Sequence, residues 1–492
     1  MPGEQGRGGE AEAGRRIVAW AVIAAHFAAP FMFSAVAVAL PSLGDELSAG
    51  ASALGLVETL FFAGSAAFLL PVGRLGDVSD RRALYRGGLA LFGLASLAIA
   101  VAGSITLVLG LRFVQGIAAA VISATGPAIL ADVVPPGGRG KAYGAALGVT
   151  YTGLSLGPLA GGMLVGAFGW RSVFVVGSGF LLAAYLLVRR LLPSTWRRPP
   201  PGSIDLPSVG LVVASVITVV FGASLVDDPW VGWPLVGLGL ALGVVFFWLQ
   251  RRVRAPLLDV RALMGNRVLR GALSVQALVY MNAYAAILMM SIFLQVPQGR
   301  PPGLSGQILA IGPVLMAAFA PITGALADRM RPALLASFGV AGVLFSALLA
   351  INLEAGSSLT VVIPVLVCQG VGFAFFSSPN MTTIMNSVPG ALVGGASALA
   401  AASRSMGMIV GMLATSVLLT LYVGDVAIPA APERFLAAMG VVYRILAVAA
   451  GLALLLSLRG LLLRPGARRL ADAGGEESGE ESGGGGERGG SG

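Results

Sequence analysis

The stretch GLSLGPLAGG, residues 153–162, lies inside an apolar run from about residue 143 to residue 168. A run of that length can cross a bilayer as a helix. On a helix, Gly153, Gly157 and Gly161 recur at every fourth position and leave a stripe without side chains, onto which another helix can pack closely. Pro158 has no amide hydrogen, so it releases a carbonyl of the preceding turn and kinks the helix beside the stripe. The stretch therefore predicts a kinked membrane helix in close contact with a neighbour.

The composition of the whole chain agrees with a membrane protein. Of its 492 residues, 56% are hydrophobic and 11% are charged, whereas soluble domains carry about 25% charged residues. We therefore predict an all-α, polytopic protein whose surroundings are the lipid bilayer. The formal net charge of +9 comes from basic residues at the ends of apolar runs, without a basic patch interleaved with aromatic residues. No nucleic-acid partner is expected.

Cysteine and histidine are scarce, and this limits the chemistry of the chain. Cys368 and His26 are the single cysteine and the single histidine, which argues against a disulfide framework, a histidine-ligated metal and a histidine-based triad. The sequence has no G-x-x-x-x-G-K-[ST] stretch for binding nucleotide phosphates. We expect no metal and no cofactor, with a proton gradient as the energy source.

Fourteen apolar runs can be placed as membrane spans, in two six-span halves with a pair inserted between them. The third and fourth runs touch at Gly103-Ser104, and the sequence leaves that boundary open. The predicted spans lie at about residues 17–40, 54–72, 87–109, 107–131, 143–167, 172–192, 207–226, 231–250, 271–294, 304–326, 333–352, 358–384, 391–421 and 436–461.

Polar segments divide these spans into domains. The predicted domains are a disordered cytoplasmic N-terminus at 1–16, an N-terminal six-helix bundle at 17–192, a cytoplasmic linker at 193–206, two inserted helices at 207–250, a cytoplasmic loop at 251–270, a C-terminal six-helix bundle at 271–463 and a disordered cytoplasmic tail at 464–492. Basic residues concentrate in alternate connections, as the positive-inside rule requires. Both termini are therefore expected in the cytoplasm.

A short basic loop after the second span, GRLGDVSDRR at residues 73–82, has a weaker echo, GALADRMR, at residues 324–331. Each copy follows one span and precedes another, which indicates two related halves. An acid that pairs with cytoplasmic arginines can close a gate in one state and release it in another. The alternative is a solvated loop that only orients the chain. The candidate gating residues of the two copies are Gly73, Asp77, Arg81, Arg82, Asp328 and Arg329.

The first loop and the glycine stretch resemble motifs of the major facilitator superfamily. Residues 153–162 match the G-x-x-x-G-P-x-x-G-G motif in the fifth helix of its exporters at every defined position, and residues 73–82 are similar to the loop between its second and third helices. The resemblance implies two helical bundles that rock around a central site. It also implies that a group of residues in the fifth span favours export, namely Gly153, Gly157, Pro158, Gly161 and Gly162.

One branch of that superfamily, the fourteen-helix drug:proton antiporters, resembles this chain more closely. GWRSVF at 169–174, VALP at 38–41, and PLLD at 256–259 with Asn266-Arg267 after it are similar to segments of that branch. The resemblance covers about residues 17–463.

The fourth span carries Arg112, Gln115 and Gly116, which resemble the superfamily pattern R-x-x-Q-G. An arginine within a span is costly, so a paired or water-facing arginine is expected, and a side chain that snorkels to the interface is the alternative. Asp132 ends the same span. We expect it to pair with an arginine of the first basic loop and to act in gating.

The expected proton site departs from the pattern of the branch, which usually has an aspartate where this chain has Met32. Glu58, within the second span, is the best replacement, because a desolvated carboxyl group can exchange protons near neutral pH. The alternative is a hydrated carboxylate near the outer interface. His26 is the second candidate, and its alternative is a neutral imidazole bonded to a backbone carbonyl. Gly177 is a further departure, since it lies where the branch usually has an Asn-x-Pro segment.

Superfamily architecture implies that four spans line the central cavity, here those at about 17–40, 107–131, 271–294 and 358–384. Their aromatic, amide and methionine side chains, without a fixed charge cluster, suit amphipathic or cationic organic molecules. Helix packing is the alternative for each. The candidate lining residues are Gln276, Tyr280, Asn282, Tyr284, Gln369, Phe373, Phe376 and Asn380.

The sequence thus predicts a proton-coupled exporter of hydrophobic or cationic drugs or antibiotic-like metabolites. We expect it to work as a monomer in the plasma membrane of a bacterium. A proton symporter that imports a small organic solute is the main alternative, and the Gly157-Pro158 pair disfavours it. A membrane-embedded enzyme would need a cluster of His, Asp or Glu near one face, so we expect a transporter and not an enzyme.

Overall fold

The computed structural model of the chain describes residues 17–134, 139–191, 203–226, 228–253, 256–257, 265–388, 393–424 and 426–462. The predicted disordered ends at 1–16 and 464–492 lie outside these residues, as does most of the linker and part of the loop at 251–270. Every regular element in the described part of the chain is helical.

The helices run back and forth, and short connections join most of them. Their bounds are α1 Ile17–Leu47, α2 Ala51–Val78, α3 Arg81–Ala100, α4 Ile105–Val133, α5 Arg139–Phe168, α6 Arg171–Leu191, α7 Leu206–Ser224, α8 Gly232–Gln250, α9 Arg267–Gln295, α10 Pro302–Leu309 continued by Ile311–Arg329, α11 Pro332–Ala350, α12 Leu359–Asn386, α13 Val393–Tyr422 and α14 Pro432–Leu462.

Thirteen of these helices are long and apolar enough to cross a membrane, judged by length and composition of the described residues. The fourteenth, α5, is 30 residues long, which is also enough to span. The chain is therefore a multi-pass membrane protein, as predicted. We call the side that holds the α1–α2 connection the α1–α2 face, and the opposite side, with the α2–α3 connection, the α2–α3 face.

The boundary between the third and fourth spans, which the sequence left open, falls at residues 101–104, but the predicted third span lay too far along the chain. Helix α3 ends at Ala100, nine residues before the predicted end at 109, and it begins at Arg81, six residues before the predicted start at 87. The early start follows from Asp80, whose carboxylate accepts a hydrogen bond from the Arg82 backbone amide and caps the helix. Ser104 caps α4 in the same way. Capping side chains, and not hydropathy, set these ends.

The glycine stripe of α5 packs against α1, as the sequence predicted. A Cβ added at Gly153 would stand 2.5 Å from the Phe27 carbonyl oxygen, and one at Gly161 would stand 2.9 Å from the Ala35 Cα. Between them, a Cβ at Gly157 would stand 2.7 Å from a backbone carbonyl oxygen of α1. The two backbones are therefore too close for any side chain along this line.

The opposite side of the same motif contacts the second half of the chain. A Cβ at Gly162 would stand 2.5 Å from the Pro302 carbonyl oxygen and 3.2 Å from the Gly306 Cα on α10, and Gly306 in turn lies against the Pro158 carbonyl. Helix α5 is thus held between α1 of its own half and α10 of the other.

The GWR segment joins three connections at the α1–α2 face. Gly169 has φ +77°, a conformation that favours glycine. The Trp170 indole donates a 2.8 Å hydrogen bond to Glu46 at the end of α1, and Arg171 forms an ion pair with the same carboxylate. Arg171 also donates to the Ala102 carbonyl between α3 and α4, at 3.1 Å. One acidic side chain therefore fixes the ends of several helices.

The inserted pair, α7 and α8, forms a hairpin beside α2 and α13. Ser215 donates a hydrogen bond of 2.8 Å to the Gly239 carbonyl, and Gln250 donates to the Ser208 hydroxyl at 2.7 Å. Most of both helices remains exposed, which is the expected pattern for lipid-facing surface.

The closeness of α1 and α5 yields a stability prediction. We expect Gly157→Ala to destabilise the protein by about 1–3 kcal/mol, because a methyl group there must push two backbones apart. Gly166→Ala, on the same helix but with open space around its Cβ position, is the matched control and should not destabilise. Thermal unfolding of both purified variants in detergent measures the difference. Equal midpoints for the two variants would contradict the close packing.

Candidate functional site

A buried ion pair joins α2 and α4 about two helical turns from the α1–α2 face. The Arg112 Nη2 atom lies 2.7 Å from the Glu58 Oε2 atom, and both side chains are 0% exposed. The expectation that Arg112 is paired is confirmed, and its partner is the carboxylate proposed for the proton site. The two alternatives, a snorkelling arginine and a hydrated glutamate, are wrong for this structure because neither group reaches the surface.

Hydrogen bonds fix the arginine in its place. Arg112 Nε donates to the Val57 carbonyl at 3.2 Å, and Nη1 donates to Gln115 Oε1 at 2.9 Å. Gln115 in turn donates to the Ser96 hydroxyl on α3 at 2.8 Å. The guanidinium also lies 4.5 Å from the centre of the Phe61 ring, at cation–π distance. The network ties α2, α3 and α4 around one charge.

Glycines bring α2 and α4 close enough for the pair to form. A Cβ at Gly116 would stand 3.0 Å from the Gly64 Cα, with the Phe61 carbonyl nearer still. Gly116 therefore has a clear packing role next to the ion pair.

Only one of the two carboxylate oxygens of Glu58 has a hydrogen-bond partner. Glu58 Oε1 is buried without a hydrogen-bond partner, and such an atom is costly in its charged form. The next residue, Thr59, donates to the Met412 carbonyl of α13 at 3.3 Å. Gly55, one turn earlier, faces Ser416 of α13, whose Cα would be 3.1 Å from an added Cβ. The ion pair thus adjoins the packing surface between the two halves.

His26 takes the arrangement that was its alternative interpretation. Its Nδ1 atom lies 2.7 Å from the Val22 carbonyl oxygen, one turn earlier in α1, and the ring packs against Gly126 of α4. The helix is irregular at His26 and Phe27, about one turn before Pro30 and Phe31. This geometry gives the imidazole a local structural partner, and it does not bring His26 to the ion pair.

Met32, where the related branch has an acid, is completely buried. Its thioether occupies the place that a Cβ of Gly177 on α6 would take, with Met32 Cγ 2.6 Å from that point. Met32 and Gly177, the two positions at which the sequence departs from the branch, are therefore in contact. The contact is apolar, where the branch usually has an aspartate.

The first basic loop pairs with the end of α4 as expected. Arg81 Nη1 lies 3.0 Å from Asp132 Oδ2, with the two side chains about one-third exposed, at 30% and 33%. Arg81 also donates to the Gly76 carbonyl at 2.9 Å. Of the other gating candidates, Arg82 is buried, Gly73 has open space at its Cβ position and Arg329 is exposed. The side chains of Asp77 and Asp328 lie outside the described part of the structure. A gating role for this set stays a prediction.

Two of the predicted cavity residues pack the second half. Gln276 donates to the Ala400 carbonyl at 2.7 Å, and Asn380 donates to Gln276 Oε1 at 3.2 Å. Both are buried. Asn282 is also buried and bonds within α9, to the Leu278 carbonyl. These amides satisfy each other and the backbone, which is the packing alternative. Gln369 makes only a long contact, 3.5 Å, with a serine of α11.

The aromatic candidates form two clusters at mid-depth. The Tyr280 ring lies 5.6 Å from Phe373 and 6.4 Å from Phe376, between centroids. The Tyr284 ring crosses from α9 to the first half, 4.2 Å from Phe33. Phe373 and Phe376 are buried, but both tyrosines keep accessible surface.

Sequence reasoning missed two residues beside these tyrosines. Tyr151 on α5 shares a 2.6 Å hydrogen bond with Ser377 on α12. Arg404 on α13 places its guanidinium 5.9 Å from the centre of the Tyr280 ring. The expected lining residues, which carry no fixed charge cluster, therefore have a single arginine beside them. An arginine inside the apolar run at 391–421 was the signal that could have found it.

The two halves are joined at the α1–α2 face by hydrogen bonds from the second half to the first. Ser291 donates to the Ala37 carbonyl at 2.7 Å, Gln295 to the Val38 carbonyl at 3.1 Å, and Thr420 to the Ser52 hydroxyl at 2.9 Å. The structure is closed at this face.

Comparison with known proteins finds a family match over most of the chain. The model of the Major Facilitator Superfamily matches residues 22–412 and, in an overlapping match, residues 272–481. Multidrug resistance protein Stp of Mycobacterium tuberculosis is 29% identical over 390 residues, covering 76% of this chain and 70% of that protein. Puromycin resistance protein pur8 of Streptomyces alboniger is 29% identical over 400 residues, covering 80% and 79%.

Other relatives and a solved structure agree in fold. The tetracenomycin C resistance and export protein of Streptomyces glaucescens is 26% identical over 397 residues, covering 80% of this chain and 73% of that protein. A bacterial homologue of the lysosomal transporter Spinster, solved in an inward-facing conformation, superposes with a TM-score of 0.66 at 17% identity, covering 91% of this chain and 97% of that one.

The buried pair supports a double-mutant prediction. We expect Glu58→Leu and Arg112→Met each to lower stability by about 3–5 kcal/mol, because each leaves a buried charge without its partner. The double variant should recover much of that loss. The matched control is the part-exposed Arg81–Asp132 pair, whose single variants should cost at most about 1 kcal/mol. Thermal unfolding of the purified variants measures the coupling. Additive losses in the double variant would contradict the pairing.

Proposed function

The chain belongs to the Major Facilitator Superfamily, and we propose that it exports amphipathic drugs or antibiotic-like metabolites in exchange for protons. Protons are the coupling ion in this proposal, and the transporter works as a monomer without a cofactor. The observation that carries it is the Glu58–Arg112 pair, buried in the first half and next to the second.

The chemistry of the pair suits proton exchange. A buried carboxylate stays charged only while its cation is in contact, so a small separation of α2 from α4 favours proton uptake. Glu58 Oε1 is the free position at which the proton can bind. Arg112 keeps its hydrogen bonds to the Val57 carbonyl and Gln115 when the carboxyl is neutral, so its N–H donors stay bonded although its charge loses the acidic partner.

Motion between the halves can follow from this exchange. Thr59 and Gly55, beside Glu58, contact α13 directly. A change in the position of α2 therefore reaches the other half without an intermediate element. Substrate capture and proton binding would then favour opposite-facing states of the same two bundles.

The orientation in the membrane follows from charge. Arginines such as Arg81, Arg189, Arg252 and Arg331 lie at the α2–α3 face, which we assign to the cytoplasm of a bacterium. Both termini then lie in the cytoplasm, and the joined α1–α2 face is the outer side.

Export is favoured over import on two grounds. The glycine-proline motif of α5 lies between α1 and α10, where a change in its kink alters the contact between the halves. The names of several relatives refer to drug resistance or export. The alternative, a symporter that imports a small organic solute, has no comparable support from the site.

Transport direction tests the proposal. Inside-out vesicles that are acidified internally should accumulate rhodamine 123 or fluorescein, because their lumen corresponds to the outside of the cell. Collapse of the proton gradient should abolish accumulation, and Gly157→Leu or Pro158→Leu should abolish it while protein remains in the membrane. Uptake by right-side-out vesicles under an inward proton gradient, with none in inverted vesicles, would instead establish an importer.

The coupling residue has its own test. Glu58→Gln keeps the shape and hydrogen bonding of the side chain but cannot exchange a proton. We expect it to bind dye normally and to lose gradient-driven accumulation. His26→Gln is the matched control and should export normally, while Asp132→Asn should slow dye exchange with and without a gradient. Normal export by Glu58→Gln would remove this carboxyl from the coupling mechanism.

A further inference from the structure

Arg404 lies near the middle of a membrane helix and faces the interface between the halves. Eleven residues (404 − 393 = 11), or about 16 Å at 1.5 Å per residue, separate it from the start of α13. Its guanidinium is 5.9 Å from the Tyr280 ring, which lies at the middle of α9. The charge is therefore held at the depth of the aromatic clusters, within the protein.

Three tyrosines from both halves surround this charge. Tyr280 and Tyr284 come from α9, and Tyr151 comes from α5. Tyr151 and Tyr284 lie within electrostatic range of Arg404, and the Tyr280 ring is its aromatic neighbour. All four side chains are partly buried, neither fully enclosed nor fully exposed.

Arg404 has no acidic partner in the part of the chain that the structure describes. The ion pairs of the described residues include Arg81–Asp132, Glu58–Arg112 and Arg171–Glu46, and none of these involves Arg404. Glu58 is bound to Arg112, so it does not neutralise Arg404. Moving an arginine into a membrane is costly unless the charge is compensated. The Arg404 guanidinium therefore carries a positive charge that no acidic side chain in the described residues neutralises.

We propose that Arg404 binds the anionic group of an amphipathic substrate, with Tyr151, Tyr280 and Tyr284 lining the same site. A carboxylate or sulfonate would accept hydrogen bonds from the guanidinium fork. The tyrosines contribute hydroxyl donors and flat surfaces for an aromatic body. This inference rests on the proposed export function and assigns its substrate class as organic anions. It replaces the cationic class that was expected from the sequence.

The proposed anion site is formed by residues of both halves. Tyr151 belongs to the first half, whereas Arg404 and Tyr280 belong to the second, so an anion held among them touches both bundles. Tyr284 also lies within electrostatic range of Glu58. The proposed anion site is therefore close enough to the ion pair for their charges to influence one another.

Two dyes with one ring system and opposite charges test the site. Fluorescein is an anion and rhodamine 123 is a cation, and both carry a xanthene core. Binding to the full chain in nanodiscs, without any gradient, is measured by fluorescence polarisation. Wild type should bind fluorescein at least about tenfold more tightly than rhodamine 123, as expected for one charge-assisted contact. Arg404→Gln should lose this preference, and Arg404→Lys should keep most of it.

Arg444→Gln is the matched control, because it removes an exposed arginine from the membrane helix α14, which contributes no residue to the proposed site. It should leave the preference unchanged. The proposal is overturned if wild type does not prefer fluorescein, or if Arg404→Gln keeps the preference.

The outcomes separate the anion site from the export function. Gradient-driven accumulation of rhodamine 123 alone in vesicles, without fluorescein preference in nanodiscs, would support export and reject the anion site. Preference for fluorescein that depends on Arg404, in a protein that accumulates neither dye, would support the site and reject export.

Discussion

The Glu58–Arg112 ion pair is the interaction on which the first half of this protein depends. Two unlike charges lie 2.7 Å apart with no exposure to solvent, in surroundings where either one alone would be unstable. The pair can exist because Gly64 and Gly116 let α2 and α4 approach. Its extensions to Gln115 and Ser96 bring in α3. The ion pair, the close approach of α2 and α4 and the attachment of α3 therefore depend on one another.

Backbone proximity governs the interface between the halves as well. Helix α5 presents one row of glycines to α1 and another surface, with Gly162, to Gly306 of α10. Membrane helices gain little from burying apolar side chains, since lipid is equally apolar, so such contacts depend on close fit. Hydrogen bonds at the α1–α2 face, such as that from Ser291 to the Ala37 carbonyl, also fix how the two halves are aligned. The two halves therefore meet along smooth backbone surfaces.

Much of this could be predicted from the sequence, because hydropathy and motif spacing are local properties. The spans, the glycine stripe and the Arg81–Asp132 pair were all accessible in that way. Helix starts such as Arg81 and Ile105 were not, since capping by Asp80 and Ser104 decides them. The partner of Arg112 was equally inaccessible: Glu58 is 54 residues away along the chain. Pairing of that kind depends on how helices cross.

The candidate site shows the same limit. Gln276 and Asn380 were expected to line a cavity, but they bond to each other and to Ala400. A polar residue on a lining helix can face either way, and only the packed structure shows which. Arg404 belongs to α13, which is not one of the four spans that superfamily architecture places around the cavity, so the resemblance does not point to it.

The contact between Met32 and Gly177 has a consequence for how such a chain can change over generations. The thioether fills the volume that any side chain at position 177 would need. A larger residue at position 177 therefore requires the flexible Met32 side chain to move or to be replaced by a smaller one. An acid at position 32 would place a carboxyl group in this apolar contact. Substitutions at the two positions are thus coupled, and a change at one is easier when the other changes with it.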